Sequence, residues 1–199
     1  ENTDLNSSYY IILEPYKKKW IPSLKNSKIR TDNIKITKDL FNETFISRQI
    51  VDRKKQINFN KVKTVFYLGD EIKNYYTLIP ENISNKLKLW VKNNNTSSHS
   101  EFINKINKRF SDGSYYYNLS PKNVSLNNYE NFFFNEKEGY CEYYAGTFVL
   151  LARLAGIPSR IVTGYHGGEF NEIGNFFSYK QKDTHAWAEV WLDKKGWVR

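Results

Sequence analysis

The sequence predicts an α+β fold: a helix bearing the chain's single cysteine, packed on an antiparallel sheet bearing a histidine, with a small β-rich region ahead of both. Three observations predict it. An apolar stretch of helical length runs from Cys141 and stops at Gly156, with Pro158 just beyond. From His185 the period becomes two, with His185, Trp187, Glu189 and Trp191 pointing one way and Ala186, Ala188, Val190 and Leu192 the other. The first 80 residues carry strand-like runs instead. The chain therefore divides into a β-rich region, 1–80, and a core, 81–199.

Each element follows from local pattern. Tyr9-Tyr10-Ile11-Ile12-Leu13 is an apolar strand run ending before Pro15. Rough alternation at 34–36, 45–51 and 62–68 suggests further strands. After Pro80, Ile83, Leu87, Trp90 and Val91 fall on one helical face. Phe102, Ile103, Ile106 and Phe110 form a second stripe, with Ser98 or Ser100 as N-cap. Both stripes read as core. Ser111-Asp112-Gly113-Ser114 turns into an extended segment at Tyr115-Tyr116-Tyr117, and Tyr129–Phe134 reads as a short aromatic helix or turn. Beyond the cysteine helix, Arg160–Tyr165 reads as a strand, Gly167–Tyr179 as a loop and hairpin, and Asp193-Lys194-Lys195-Gly196 as a tight turn into a last strand at Trp197.

Composition narrows the function. The net charge of +9 points towards acidic partners, but the lysines are scattered and the runs Lys17-Lys18-Lys19 and Arg53-Lys54-Lys55 are short and isolated. They read as a solvated surface, so no nucleic-acid partner is expected. No apolar run approaches the ~18 residues that a membrane span needs. One cysteine cannot form an internal disulfide. The absence of methionine suggests a piece of a longer protein.

Cys141 and His185 carry the chemistry. A free thiol has a reference pKa of about 8.5, which makes it a poor nucleophile at neutral pH. A helix N-terminus and an imidazole in contact both favour thiolate. The same helix start leaves backbone N–H groups unpaired, so the N–H of Cys141 can donate to an oxyanion. Ala145 and Gly146 would let the helix approach the sheet closely. The bland alternative is that Cys141 is a small buried hydrophobe. Its place at the helix start, the histidine opening a strand, and the glycines at 139, 164, 167 and 168 favour a site. His166, Tyr117 and Trp187 are candidates for the cleft, whereas His99 in its Asn/Ser-rich surroundings reads as surface. The nearest acids, Asp183 and Glu189, do not face the imidazole in a way that would orient it. Nothing groups as a metal site, and no cofactor is expected.

These residues resemble a known family. The ordered segments Gly139–Glu142, Leu150–Tyr165, Gly167–Asn171, His185–Leu192 and Gly196–Arg199 look like the bacterial transglutaminase-like core, the membrane-anchored TgpA type above all. Weaker echoes lie at Tyr115–Pro121, Tyr76–Pro80 and Glu14-Pro15 with Trp20. The resemblance implies a papain-like fold and a Cys-His-Asp triad, with Cys141 as nucleophile and His185 as base. Its aspartate is expected just beyond Arg199, so these 199 residues alone are expected to be inactive or weak. It implies acyl transfer through a thioester: Cys141 attacks a carboxamide such as glutamine on a protein or peptide, ammonia leaves, and an amine or water resolves the intermediate. It also implies an extracytoplasmic domain of a membrane protein. The alternatives are a cysteine peptidase or amidase on the same scaffold and a non-catalytic cell-envelope binding domain.

Overall fold

The computed structural model describes residues 7–30, 35–39, 43–63, 67–121 and 128–199. The chain forms two compact units, Glu1–Val65 and Phe66–Arg199.

Among the described residues the first unit holds six short strands: β1 (Ser8–Leu13), β2 (Trp20–Ile21), β3 (Ser27–Ile29), β4 (Ile36–Lys38), β5 (Phe45–Ser47) and β6 (Lys55–Lys61). They pair antiparallel into two three-stranded sheets, ordered β1-β6-β3 and β2-β5-β4. Alternation places Ile57 and Phe59 of β6 fully inside, where they meet Leu13, Ile21, Phe45 and Val51. Tyr9 stacks on Phe59 at 4.9 Å and Phe45 meets the same ring edge-on at 5.9 Å. Of the stretch 62–68, where a strand was expected, the described residues 62, 63, 67 and 68 lie in no strand. The ladder ends at Lys61, and the exposed Val62 bonds its N–H to the Asn26 carbonyl. Ile34 and residues 64–66 lie outside the described residues.

The second unit opens with α1 (Asp70–Thr77), a helix inside the stretch read as strands. Its spacing explains it: Ile72 and Tyr76, four apart, share a face and pack with Leu68, Trp191 and Trp197. Next come α2 (Asn85–Asn94) and α3 (His99–Phe110). Ser84 caps the former, accepting from the N–H groups of Lys86 and Leu87, and Ser98 caps the latter through Glu101. The expected stripes are core: Leu87, Val91, Phe102, Ile103 and Ile106 are buried with residues of the cysteine helix.

Strand β7 (Tyr116–Tyr117) follows. After it, α4 (Tyr129–Asn131) runs into a π-helical turn over Phe132–Glu136. The short β8 (Glu138–Gly139), parallel to β7, delivers the chain into α5 (Cys141–Leu154). The helix ends at Gly156, whose φ of +75° suits glycine. Strand β9 (Ser159–Tyr165), the hairpin of β10 (Glu169–Asn171) and β11 (Phe176–Ser178), then β12 (Thr184–Leu192) and β13 (Gly196–Val198) complete the chain. The sheet order is β13-β12-β9, all antiparallel, with Gly164 opposite His185 and Ser159 opposite Val190.

Helix α5 covers one face of this sheet. Val190 packs with Leu150 and Leu151, and the Ser159 hydroxyl donates to the Val149 carbonyl at 3.1 Å. Trp191 and Trp197, with Leu68 and Tyr76 of the α1 cluster, occupy the other face. The close approach at Gly146 is to a different neighbour from the one expected. A Cβ there would meet the Tyr129 ring at 2.6 Å, so this glycine admits α4 rather than the sheet.

Candidate active site

Chain direction brings Cys141 and His185 to one end of the sheet. Helix α5 turns at Gly156 straight into β9, and Arg153 pins that corner by donating to the Ser159 carbonyl at 2.8 and 3.0 Å. Strand β9 runs back along the helix, and β12 runs antiparallel to β9. Strand β12 therefore points the same way as α5. The far end of β12 sits beside the helix C-terminus, where Trp191 N–H bonds the Pro158 carbonyl at 2.8 Å. Cys141, first on α5, and His185, second on β12, therefore share the opposite end.

Cys141 is the first residue of α5 and is half-buried. No side chain caps this helix, in contrast to α2 and α3, and among its leading N–H groups that of Tyr143 bonds the Tyr140 carbonyl at 2.9 Å. Tyr117, on β7 opposite Gly139, leans over the start of α5 and stacks on Tyr144 at 6.3 Å. Burial, then the Cys141 sulfur, push the phenol pKa above its ordinary 10.

His185 is half-buried on the face shared by Gly164, Trp187 and Glu189. That is the face turned away from α5. Thiol and imidazole can thus meet only around the end of the sheet, and they are not hydrogen-bonded among the described residues. Such contacts in empty sites are often long and tighten around substrate. His166 joins the imidazole: the two rings lie 5.4 Å apart. Trp187 lies over Gly164, where a Cβ would meet the indole at 2.9 Å, and Arg199 stacks on the same indole at 4.8 Å. Burial first, then His166, then Arg199, lower the His185 pKa from its ordinary 6.5.

The candidate residues thus fall into two clusters at one end of the sheet: Tyr117 with Cys141, and His166, Trp187 and Arg199 with His185. Asp183 and Glu189 are engaged elsewhere. Asp183 accepts the Lys180 N–H at 2.7 Å, and Glu189 accepts the Arg160 guanidinium at 2.8 and 3.0 Å. His99 is exposed at the first position of α3. Among the described residues no three His, Cys, Asp or Glu side chains group to hold a metal ion. Sequence reasoning overlooked Arg199 and Tyr144. Tyr144 carried a signal, since it lies three residues after Cys141 on the same helical face.

A thiol heading an uncapped helix, with a histidine opening the neighbouring strand, sits inside a match to the transglutaminase-like superfamily model over residues 86–199. The chain belongs to the transglutaminase-like superfamily. A protein-glutamine gamma-glutamyltransferase of Pseudomonas aeruginosa is 40% identical over 91 residues, which are 46% of this chain and 14% of that protein. The uncharacterized protein YebA of Bacillus subtilis is 33% identical over 114 residues, 52% of this chain and 15% of that protein. The matched segments thus span about a seventh of the length of these relatives. The crystal structure of the periplasmic domain of TgpA from Pseudomonas aeruginosa superposes with a TM-score of 0.85 at 23% identity, covering 96% of this chain and 69% of that one. The superfamily core, with the β-rich unit ahead of it, is therefore a shared fold. Among the described residues no helix is long and apolar enough to cross a membrane.

Proposed function

We propose that this chain carries the site of a cysteine-dependent acyl transfer to which protein or peptide carboxamides are the donors. The observation that carries the reading is Cys141 at the head of α5, at the sheet end where His185 is the second residue of β12, within a superfamily core. The kinship with a protein-glutamine gamma-glutamyltransferase supports a glutamine side chain as donor.

The chemistry follows from the residues. Burial, then the neighbouring His166 and Arg199, disfavour imidazolium at His185, so the ring is neutral near pH 7 and able to take a proton. It takes the thiol proton, and the sulfur adds to the carboxamide carbon. The C=O electron pair moves to oxygen, which faces the Cys141 N–H. When that pair returns, the C–N bond breaks, and the nitrogen leaves as ammonia with the proton that His185 held. A thioester remains. An amine attacks it, His185 relays the proton back to sulfur, and a new amide departs. Water in place of the amine gives hydrolysis. Helix α5 supplies orientation, because most of its residues from Tyr143 to Ala152 are buried.

The natural setting proposed is the extracytoplasmic face of a membrane-anchored protein, consistent with the likeness to a periplasmic domain. The test is Cys141→Ala in the whole protein, assayed with a glutamine peptide and an amine. Loss of both amide formation and ammonia release, with unfolding unchanged, is expected. Wild-type turnover in that variant would end the reading. Ammonia release without amine incorporation in the wild type would make the enzyme an amidase.

A further inference from the structure

We propose that the donor taken by this site is an extended peptide with apolar side chains at alternate positions beside its glutamine. It docks along a line of aromatic rings that runs from the end of β9 onto the β10–β11 hairpin. The inference rests on Cys141 being the nucleophile, as read above, and adds the class of substrate that the site selects.

Register sets the rings. Phe170 and Phe177 stand opposite each other on β10 and β11, with ring centres 4.9 Å apart. Tyr179, two residues past Phe177, stacks on it at 6.4 Å, and Tyr165, the last residue of β9, meets Tyr179 at 5.9 Å. Tyr179 crosses the chain at Gly168, where a Cβ would come 2.8 Å from its ring. The base of the hairpin is held as well. Lys180 and Lys182 both pair with Glu169, at 2.7 and 3.2 Å, and the Lys180 N–H bonds the Asp183 carboxylate at 2.7 Å. The rings touch one another and still leave much of themselves in water: Phe170, Phe177 and Tyr179 are 50%, 60% and 49% exposed. A continuous apolar surface of this kind is what a binding partner covers.

The line begins at the site. Tyr165 pairs with Thr184, the residue before His185, and the next residue, His166, lies against the His185 ring at 5.4 Å. Alternation from Ser159, whose hydroxyl bonds α5, places Tyr165 on the face of the sheet that α5 covers. A peptide whose glutamine reaches Cys141 at this sheet end therefore has the ring line as its continuation. Spacing names the occupant. Tyr165, Tyr179 and Phe177 follow one another at 5.9 and 6.4 Å. In an extended peptide the side chains of one face recur every two residues, about 6.6 Å. Apolar residues at alternate positions thus fall ring on ring, and Phe170 beside Phe177 widens the outermost place. The charges argue against a lipid surface, because the two lysines next to the rings are paired with Glu169 rather than turned to headgroup phosphates.

Phe170→Ser together with Phe177→Ser in the whole protein tests this, with thermal unfolding as the check on the fold. Two donors are compared, with hydroxylamine as acceptor. One is acetyl-glutaminylglycine, too short to follow the rings. The other is a decapeptide with a central glutamine and leucine at alternate positions on both sides. The wild type should prefer the decapeptide in kcat/KM, and the double variant should lose about tenfold of that preference, through KM rather than kcat. In whole protein bearing Cys141→Ala, which binds without turnover, the same two changes should weaken decapeptide binding about tenfold by calorimetry. A wild type without the preference overturns the proposal, and so does a preference or a binding constant that the two changes leave intact. Protein that sediments with phosphatidylcholine–phosphatidylglycerol vesicles through these rings, while ignoring the decapeptide, overturns it in favour of a membrane foothold. A decapeptide that binds through the rings while neither donor is turned over overturns the reading of Cys141 instead and leaves the docking line standing.

Discussion

The rings of His166 and His185 lie 5.4 Å apart, inclined by 37°. Backbone bonding brings them together: the His166 N–H bonds the Asp183 carbonyl at 2.8 Å, closing the loop that the β10–β11 hairpin extends. Two imidazoles and the Arg199 guanidinium thus converge where a general base is needed. His166 and Arg199 each oppose protonation of His185, and burial opposes it more than either.

Replacing His166 by Asn should therefore raise the His185 pKa towards 6.5. The folded-state value lies below the unfolded one, so His185 stabilises the fold fully above about 6.5, and this stabilisation is lost as pH falls through the folded value. The variant should lose less stability on acidification, and the acid limb of its turnover profile should move to higher pH. Imidazole titration by NMR reads the midpoint directly. A midpoint that stays put or falls would show that His166 exerts no field on its neighbour.

Three glycine-to-alanine changes should rank by what the new methyl meets. At Gly139 it falls 2.8–2.9 Å from Cβ and Cγ of Tyr143, atoms fixed to the α5 backbone. At Gly164 it meets the far edge of the Trp187 indole at 2.9 Å, which can swing. At Gly69, ahead of α1, nothing lies within 4 Å. Gly139→Ala should destabilise by about 1–3 kcal/mol, the range for overpacking, and disturb the approach to Cys141. Gly164→Ala should cost less stability while displacing Trp187, and Gly69→Ala should be neutral or slightly stabilising through the unfolded chain. Urea unfolding of the three sets the order, and Gly139→Ala at wild-type stability would contradict the packing described.

The core was legible where period and punctuation agree. The run from Cys141 to Gly156, with its left-handed stop, and the alternation from His185 are local signals that tertiary contacts reinforce. Ser98 at a cap and Tyr116-Tyr117 as a strand were readable for the same reason. Helix α1 was hidden because its apolar positions are few, and Ile72 and Tyr76 acquire meaning only against Trp191 and Trp197, some 115 residues later. Gly146 shows a different limit. A small residue announces a close approach but not its partner, and Tyr129 reaches it from a segment the sequence does not align with it. In the site, Cys141 and His185 were singled out by residue type and placement, and chain direction sets both at one end of the sheet. The pairing of Tyr117 with Cys141 depends on a parallel bridge between two-residue strands, too short for any periodic signal.

The ion pair between Arg160 and Glu189 should prove the most sensitive polar contact of the sheet. Both side chains are nearly buried, at 11% and 8% exposure, and Nε and Nη2 of Arg160 converge on one carboxylate oxygen at 3.0 and 2.8 Å. The guanidinium also lies 4.1 Å from the centre of the Trp197 ring and 5.9 Å from that of Tyr76. Glu189→Ala leaves a cation held among aromatic rings without its carboxylate, and such losses cost about 3–5 kcal/mol. The glutamate stands four residues along β12 on the face of His185, so loosening it should also blunt turnover. Glu169 provides the contrast: it pairs with Lys180 and Lys182 on the exposed hairpin, where solvent screens the charges, and Glu169→Ala should leave the melting temperature unchanged. Thermal unfolding of the two variants side by side decides the matter, and a Glu189→Ala protein as stable as wild type would mean that the aromatic rings alone hold Arg160 in place.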